Sequence, residues 1–335
     1  MERYLTKSRF KMALECPTKL FYTGKKEYKD TKLDDGFLMA LAEGGFQVGE
    51  LVKLYYPEGI NIDQIDHNEA LQMTEELLQR ENVTLFEAAF KYNNLFVRAD
   101  IVIKKGNNLQ LIEVKSKSFD PQTDKFIGAK GGILKEWQPY IYDIAFQKYV
   151  AINAYSKLNF HAFLCLTDKS IKASVDGLNQ LFLLYKEGNR TKVRVKETGD
   201  LASLGNKILT EVNIDEIADR IINGELLPNP NFADFKTMVD YYGENYQNDK
   251  KIKQEILGRC KACEYKASKE EIKEGFKSGF HECWTEALAF KDSDFEKPLI
   301  IDIWDFRGKD GLIKSGKYFI SLSILSSLLI FLIYF

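Results

Sequence analysis

Histidine is scarce in this chain. There are three, His67, His161 and His281, in scattered settings. Serine–histidine–aspartate catalysis, which needs an imidazole held beside its nucleophile, is therefore not expected. Excess charge of one sign is also missing: 47 basic against 49 acidic residues leave a net charge of -2. The global electrostatic signature of a nucleic-acid binder is thus absent, although a neutral total is compatible with a local basic groove. Gly131-Gly132 lacks the GK[ST] context of a phosphate-binding Walker loop. Nothing resembles a base-reading helix or a helicase motor, and there is no internal repeat or long low-complexity linker. The opening MERYLTK is polar and has no apolar segment, so no secretory signal is read there and a cytoplasmic chain is expected. In that compartment five cysteines argue against a disulfide framework.

What is present is ordinary globular material. With 335 residues, 45% hydrophobic and 29% charged, the chain can bury a sizeable core in one large or two ordinary domains. Aromatic residues reach 13%, and most are expected in that core. The final stretch, YFISLSILSSLLIFLIYF over 318–335, carries no charge in 18 residues. A membrane span needs roughly 20 apolar residues. This segment reads as a C-terminal tail anchor, a buried terminal helix or strand, or an end altered by truncation or a shifted frame.

The periodicity changes along the chain. Residues 2–23 read as a polar lead and a helix, 35–55 as a second helical stretch, and 67–80 as an amphipathic helix. Short β-branched and aromatic runs follow at 84–90, 95–103 and 109–114, separated by Asn93-Asn94 and Gly106-Asn107-Asn108, which predicts a three-strand meander. A helix over 139–158 and a strand over 159–166 come next. A further strand at 191–195 and helices at about 200–224 precede the PNPN boundary at 228–231. This order predicts an α/β fold with a mixed central sheet flanked by helices.

One constellation carries chemistry. Asp100 lies at the end of a predicted strand, and the next strand ends in Glu113-Val114-Lys115. A side-chain period of two puts Glu113 and Lys115 on one face, and the hairpin brings Asp100 beside them. Two carboxylates suit a hard divalent cation such as Mg²⁺ or Mn²⁺, with the Val114 carbonyl as a further ligand. Lys115 is placed to orient a water or neutralise developing charge. The bland alternative is a salt-bridged surface hairpin, since this spacing arises often by chance. The apolar setting of Asp100 and Glu113 favours the chemical reading, because buried charge is costly unless paired or metal-bound.

Cys260-Lys261-Ala262-Cys263 is a second candidate, with Cys283 downstream and Cys16 far upstream before Pro17. A C-x-x-C pair suits one metal or cluster, but it also occurs by chance or as a redox motif. No strand leads into a helix there, which gives a thioredoxin-like site no support. Cys165, in an apolar run, reads as a buried small hydrophobe.

These residues together resemble the RecB-like branch of the PD-(D/E)XK nuclease superfamily, over roughly residues 4–317. Glu87 in LFEAAF stands where relatives often have an acidic residue, and Gln147 in DIAFQKY resembles the family's glutamine-bearing helix. Two positions depart from the pattern. Ala151 stands where a tyrosine follows that glutamine, with Tyr149 and Tyr155 nearby. Gly49 stands where an early-helix histidine is expected, with Glu43 and Glu50 nearby. One cysteine before proline and three beyond the core is similar to the iron–sulfur members, including CRISPR-adaptation and AddB-type nucleases. The long Cys263–Cys283 gap and the segment Ser278–Trp284 are closer to an uncharacterised bacterial domain family whose chain continues past this one.

The resemblance implies a restriction-endonuclease-like core over 1–230, a cysteine-bearing segment over 231–297 that closes a site with Cys16, and a truncated extension over 298–335. It implies a deoxyribonuclease using Mg²⁺ or Mn²⁺ at Asp100, Glu113 and Val114, with Lys115, Gln147 and Glu87 assisting. Cys16, Cys260, Cys263 and Cys283 would hold a structural [4Fe–4S] cluster, or Zn²⁺. Single-stranded DNA or duplex ends, and other repair or defence proteins, are the implied partners. The rival expectations are a catalytically impaired DNA-binding or scaffold module and a membrane-tethered partner protein.

Overall fold

The computed structural model describes residues 3–188, 190–196 and 204–321. The chain divides into two compact units, residues 1–15 with 36–250 and residues 16–35 with 251–335.

The first unit opens with β1 (Leu5–Thr6) and α1 (Lys7–Glu15). After α2 (Lys19–Tyr22), which belongs to the second unit, come α3 (Gly36–Leu54), β2 (Ile60–Asn61) and α4 (His67–Leu78). The single helix expected over 2–23 is thus two helices, parted at Cys16-Pro17, because proline disfavours helix in the residue before it. The meander follows as β3 (Asn82–Tyr92), β4 (Leu95–Lys105) and β5 (Asn108–Phe119). It leads through α5 (Gln138–Ala154) to β6 (Asn159–Asp168). Then come a separate hairpin of β7 (Phe182–Glu187) and β8 (Arg190–Val195), β9 (Leu209–Asn213), α6 (Asp215–Ile222) and α7 (Phe235–Gln247). The helical reading of 200–224 is corrected: 209–213 is a strand paired with β6, and 200–203 lie outside the described residues. A five-residue edge strand with one buried position offers too little period-two signal to read.

The sheet order is β2-β3-β4-β5-β6-β9, with β1 parallel to β4. β5 and β6 are parallel, joined through α5, while β3, β4 and β5 run antiparallel. This is a mixed central sheet with helices on both faces. Leu51 and Val52 of α3 cluster with Ile101, Ile112 and Cys165 on one face. Alternation therefore sends Asp100, Leu111, Glu113 and Leu164 to the face covered by α5. Phe10 of α1 stacks on Phe146 of α5 with ring centroids 4.5 Å apart. Thr74 fastens α4 to β3: its hydroxyl donates to Ala70 O and accepts from the Ala89 amide, at 2.8 and 2.9 Å.

Beside α5, a partly buried ion pair secures the far end of the sheet. Lys148 donates to Asp215 Oδ1 at 2.6 Å and also pairs with Asp219. The other oxygen of Asp215 meets His161 Nδ1 at 2.8 Å.

The second unit contains α2, α8 (Lys269–Lys273), α9 (Gly279–Leu288) and α10 (Lys309–Lys314). Its core gathers Ile256, Phe280, Trp284, Phe290, Leu299, Ile301 and Ile313. Residues 16–35 are tied in by Thr18 Oγ1 donating to Ile252 O at 2.6 Å, and by Lys19 and Lys32 pairing with buried Glu264. Gly279 is required where it stands, since a Cβ there would lie 2.7 Å from the Tyr22 ring. Among the described residues no helix is long and apolar enough to cross a membrane; residues 322–335 of the apolar tail lie outside that description.

Asp215 sets a pH-dependent stability. Burial raises its pKa, but hydrogen bonds from Lys148, His161 and the Ala162 amide outweigh that and hold it low. A depressed carboxylate stabilises above its unfolded pKa of about 3.9 and loses that contribution as pH falls through the lower folded value. Asp215→Asn is expected to cost about 1–2 kcal/mol in urea unfolding at pH 7, since Lys148 keeps Asp219 as a partner, with the deficit shrinking below about pH 4. A deficit constant from pH 7 to pH 3 would contradict this.

Candidate active site at the fork of the sheet

The site forms where two strands part. β4 and β5 pair from Lys105↔Asn108 as far as Ile101↔Ile112, and there their ladder ends. β5 continues with β6 instead, through an irregularity between Val114 and Ser118. β4 takes a new neighbour, β1, at Leu95 and Phe96. Asp100 and Glu113 are the first residues beyond the last pair, so they sit in the fork. The Val114 amide, left without a strand partner from β4, donates to Asp100 Oδ2 at 2.8 Å.

Glu113 is fully buried. Lys115 Nζ donates to its Oε1, and Gln147 Nε2 donates to its Oε2 at 2.8 Å. Lys7, the first residue of α1, places its ammonium 3.2 Å from Asp100 Oδ1 and 2.9 Å from Glu113 Oε2. Asp143, one helical turn before Gln147 on α5, is also buried, with Oδ2 3.7 Å from Lys115 Nζ. Among the described residues, Asp143 Oδ2 and Gln147 Oε1 are buried without a hydrogen-bond partner.

The electrostatics follow from this crowding. Burial would raise the pKa of Glu113, but Lys7, Lys115 and Gln147 reverse that and hold it far below the usual carboxylate range. Asp100 goes the other way: desolvation and the charge of Glu113 raise it, against Lys7, Lys115 and the Val114 amide. Asp143 is pushed up to about 7 by burial, then by Glu113. Desolvation would lower both lysines, yet the surrounding carboxylates keep them above their ordinary value.

The structure therefore brings Asp100, Glu113, Lys115 and Gln147 together. Glu87 lies opposite Asp100, flanked by Phe86↔Ile101 and Ala88↔Ala99. Its backbone is left-handed at φ 59°, and its side chain is 47% exposed with Arg98 Nε at 3.5 Å. Among the described residues, neither Tyr149 nor Tyr155 stands in for the expected tyrosine. Ala151 is buried, Tyr149 packs on Phe235 and Tyr92, and Tyr155 packs on Phe90. On α3, Glu50 pairs with Lys53 at 2.7 Å, and Glu43 is exposed. Two members went unseen in the sequence. Asp143 had a signal, its four-residue spacing to Gln147 on a helix. Lys7 had none, being one lysine in a polar lead.

An open basin of about 810 Å³ adjoins the end of β5, lined by Lys117, Lys125, Gly128, Leu134 and Trp137 among others. Lys104 on β4 is buried and donates to Arg80 O at 2.6 Å.

In the second unit, Cys16, Cys260, Cys263 and Cys283 are free thiols of intermediate exposure. Tyr22 Oη lies 3.4 Å from Cys283 Sγ. Burial raises the thiol pKa of Cys260, Cys263 and Cys283, and the neighbouring Cys16 adds to it; Cys263 is pushed up to about 12. Cys165 is separate, buried in the sheet core. Among the described residues, no three or more His, Cys, Asp or Glu side chains are grouped so as to hold a metal ion. No protein-family model and no curated protein matches the chain.

The fork still suits a hard cation, which needs only one or two carboxylates besides water. Asp100 and Glu113 offer oxygen from two sides, and an ammonium already rests between them. Gln147 holds that arrangement. Gln147→Ala removes one of the two donors to Glu113 Oε2, leaving Lys7 as the other, and opens a cavity; it is expected to cost about 2 kcal/mol in urea unfolding. An unchanged midpoint would show that Gln147 does not support Glu113.

Proposed function

We propose that the first unit is a divalent-cation-dependent nuclease of the PD-(D/E)XK type, cleaving phosphodiester bonds in DNA. The observation that carries this reading is the convergence of Asp100, Glu113, Lys115 and Gln147 where β4 and β5 part. A restriction-endonuclease-like core is the finer reading of its mixed sheet.

Each residue then has a task. Asp100 and Glu113 would hold Mg²⁺ or Mn²⁺, with the Val114 carbonyl as a further ligand. When bound, such a cation activates water and stabilises charge on the scissile phosphate. Gln147 fixes the Glu113 carboxylate through Oε2, leaving Oε1 toward Lys115. Lys115 orients the attacking water or meets the charge growing on the phosphate. Glu87, at the rim, adds acidic charge beside Asp100. Lys117 and Lys125 of the adjoining basin supply cations for a DNA strand, with affinity but no sequence choice.

The four cysteines of the second unit, although not grouped as a preformed metal site, would hold a structural [4Fe–4S] cluster, with Zn²⁺ as the alternative. The donor set is all thiolate, which serves both. The shared unit of residues 16–35 and 251–335 favours a staple between distant parts of the chain. Repair or defence is the setting that the family resemblance suggests.

A second reading keeps the fold and drops the cleavage, leaving a DNA-binding or scaffold module. The Lys7 ammonium between Asp100 and Glu113 favours it, as do Ala151 and Gly49 at pattern positions.

Cleavage of end-labelled single- and double-stranded DNA separates the two. Anaerobically purified protein is expected to cut with Mn²⁺ or Mg²⁺ and not with EDTA. Lys115→Ala should lose about 10²–10³-fold in rate. Folded protein that binds DNA without cutting it under any metal would select the second reading. Iron and zinc analysis of the same preparation, beside Cys263→Ser, tests the cluster: one bound centre lost in the variant is expected, and metal-free wild-type protein would remove it.

A further inference from the structure

The chemistry proposed above has no task for Lys7, yet Lys7 holds the most central position in the fork. Its Nζ lies 3.2 Å from Asp100 Oδ1, and 3.1 and 2.9 Å from the two oxygens of Glu113. A divalent cation held by Asp100 and Glu113 would need the place that the Lys7 ammonium fills. The two cations exclude each other by size and by charge.

Charge balance decides which state closes. Lys7 and Lys115 bring two positive charges to the fork; Asp100 and Glu113 bring two negative ones, and Asp143 a third once its raised carboxyl ionises. A divalent cation added beside both lysines would leave positive charge in excess. Exchanged for Lys7, it makes three positive charges with Lys115, against three carboxylates. The exit route exists: Lys7 begins α1, its stem is flexible, and its side chain is 24% exposed.

We propose that Lys7 is a resident counter-ion, held between Asp100 and Glu113 until a divalent cation displaces it. The inference rests on the reading of the fork as a cation seat. Lys7 is then a positioning residue that keeps the metal-free fork assembled and sets how tightly the metal binds. A competitor seated in nine-tenths of the molecules weakens apparent affinity about tenfold.

Titration calorimetry with Mn²⁺ tests this on the full chain, using wild type, Lys7→Met and Lys7→Arg, with Asp100→Asn as the blank for other sites. Lys7→Met is expected to bind about tenfold tighter or better, because the competing charge is gone. Lys7→Arg keeps the charge and should bind no tighter than wild type. Thermal melts give a second readout: Lys7→Met should lose Tm in EDTA and regain it with Mn²⁺, more than wild type does. If Lys7→Met is unfolded in EDTA, refolding on Mn²⁺ addition supports the exchange, and failure to refold overturns it. Equal affinities for wild type and Lys7→Met overturn the role of Lys7 and leave the cation seat standing, as does equal tightening by Met and Arg. No Mn²⁺ binding by any of the three folded proteins overturns the seat itself.

Discussion

The site depends on one constraint: an ionised carboxylate, Glu113, is fully buried at the point where two strands separate. Alone, such a group would be too costly to keep charged in the core. Cations and hydrogen-bond donors must come to it from elements that the fold can deliver there. Lys115 arrives from the same strand two residues on, Gln147 from α5, and Lys7 from α1. The departure of β5 from β4 is also what admits β1 as a neighbour of β4, and β1 leads directly into α1. The parting of the strands and the supply of the counter-charge are one architectural event.

Much of this was legible because it is periodic. The meander is plain in β-branched and aromatic runs broken by Asn93-Asn94 and Gly106-Asn107, and both turns use left-handed residues, Asn93 and Gly106. Alternation alone puts Glu113 and Lys115 on one face. What sequence could not show was the fork, since the end of a ladder is set by tertiary neighbours and leaves no local pattern. For that reason Lys7, more than ninety residues from Asp100, was invisible, and Asp143 was passed over although its spacing to Gln147 was available. Short edge elements such as β2 and β9 were missed because they have too few residues to show a period.

The second unit rests on different physics. Its core is aromatic, with Tyr22, Tyr28 and Tyr265 meeting beside the cysteines and Phe280 and Trp284 behind them. Residues 16–35 are held to 251–290 by the buried carboxylate of Glu264 and by the close approach of Gly279 to Tyr22. The two parts thus share packing whether or not a metal binds the thiols. Protonated cysteines of raised pKa are the expected metal-free state, and a thiolate-bound centre would release those protons on binding.

Anomalous diffraction from crystals soaked in Mn²⁺ addresses the central claim most directly. The account predicts one strong Mn²⁺ peak between Asp100 and Glu113, with the Lys7 ammonium withdrawn from that position. Fully soaked crystals with no peak in the fork, and Lys7 still seated between the two carboxylates, would contradict it.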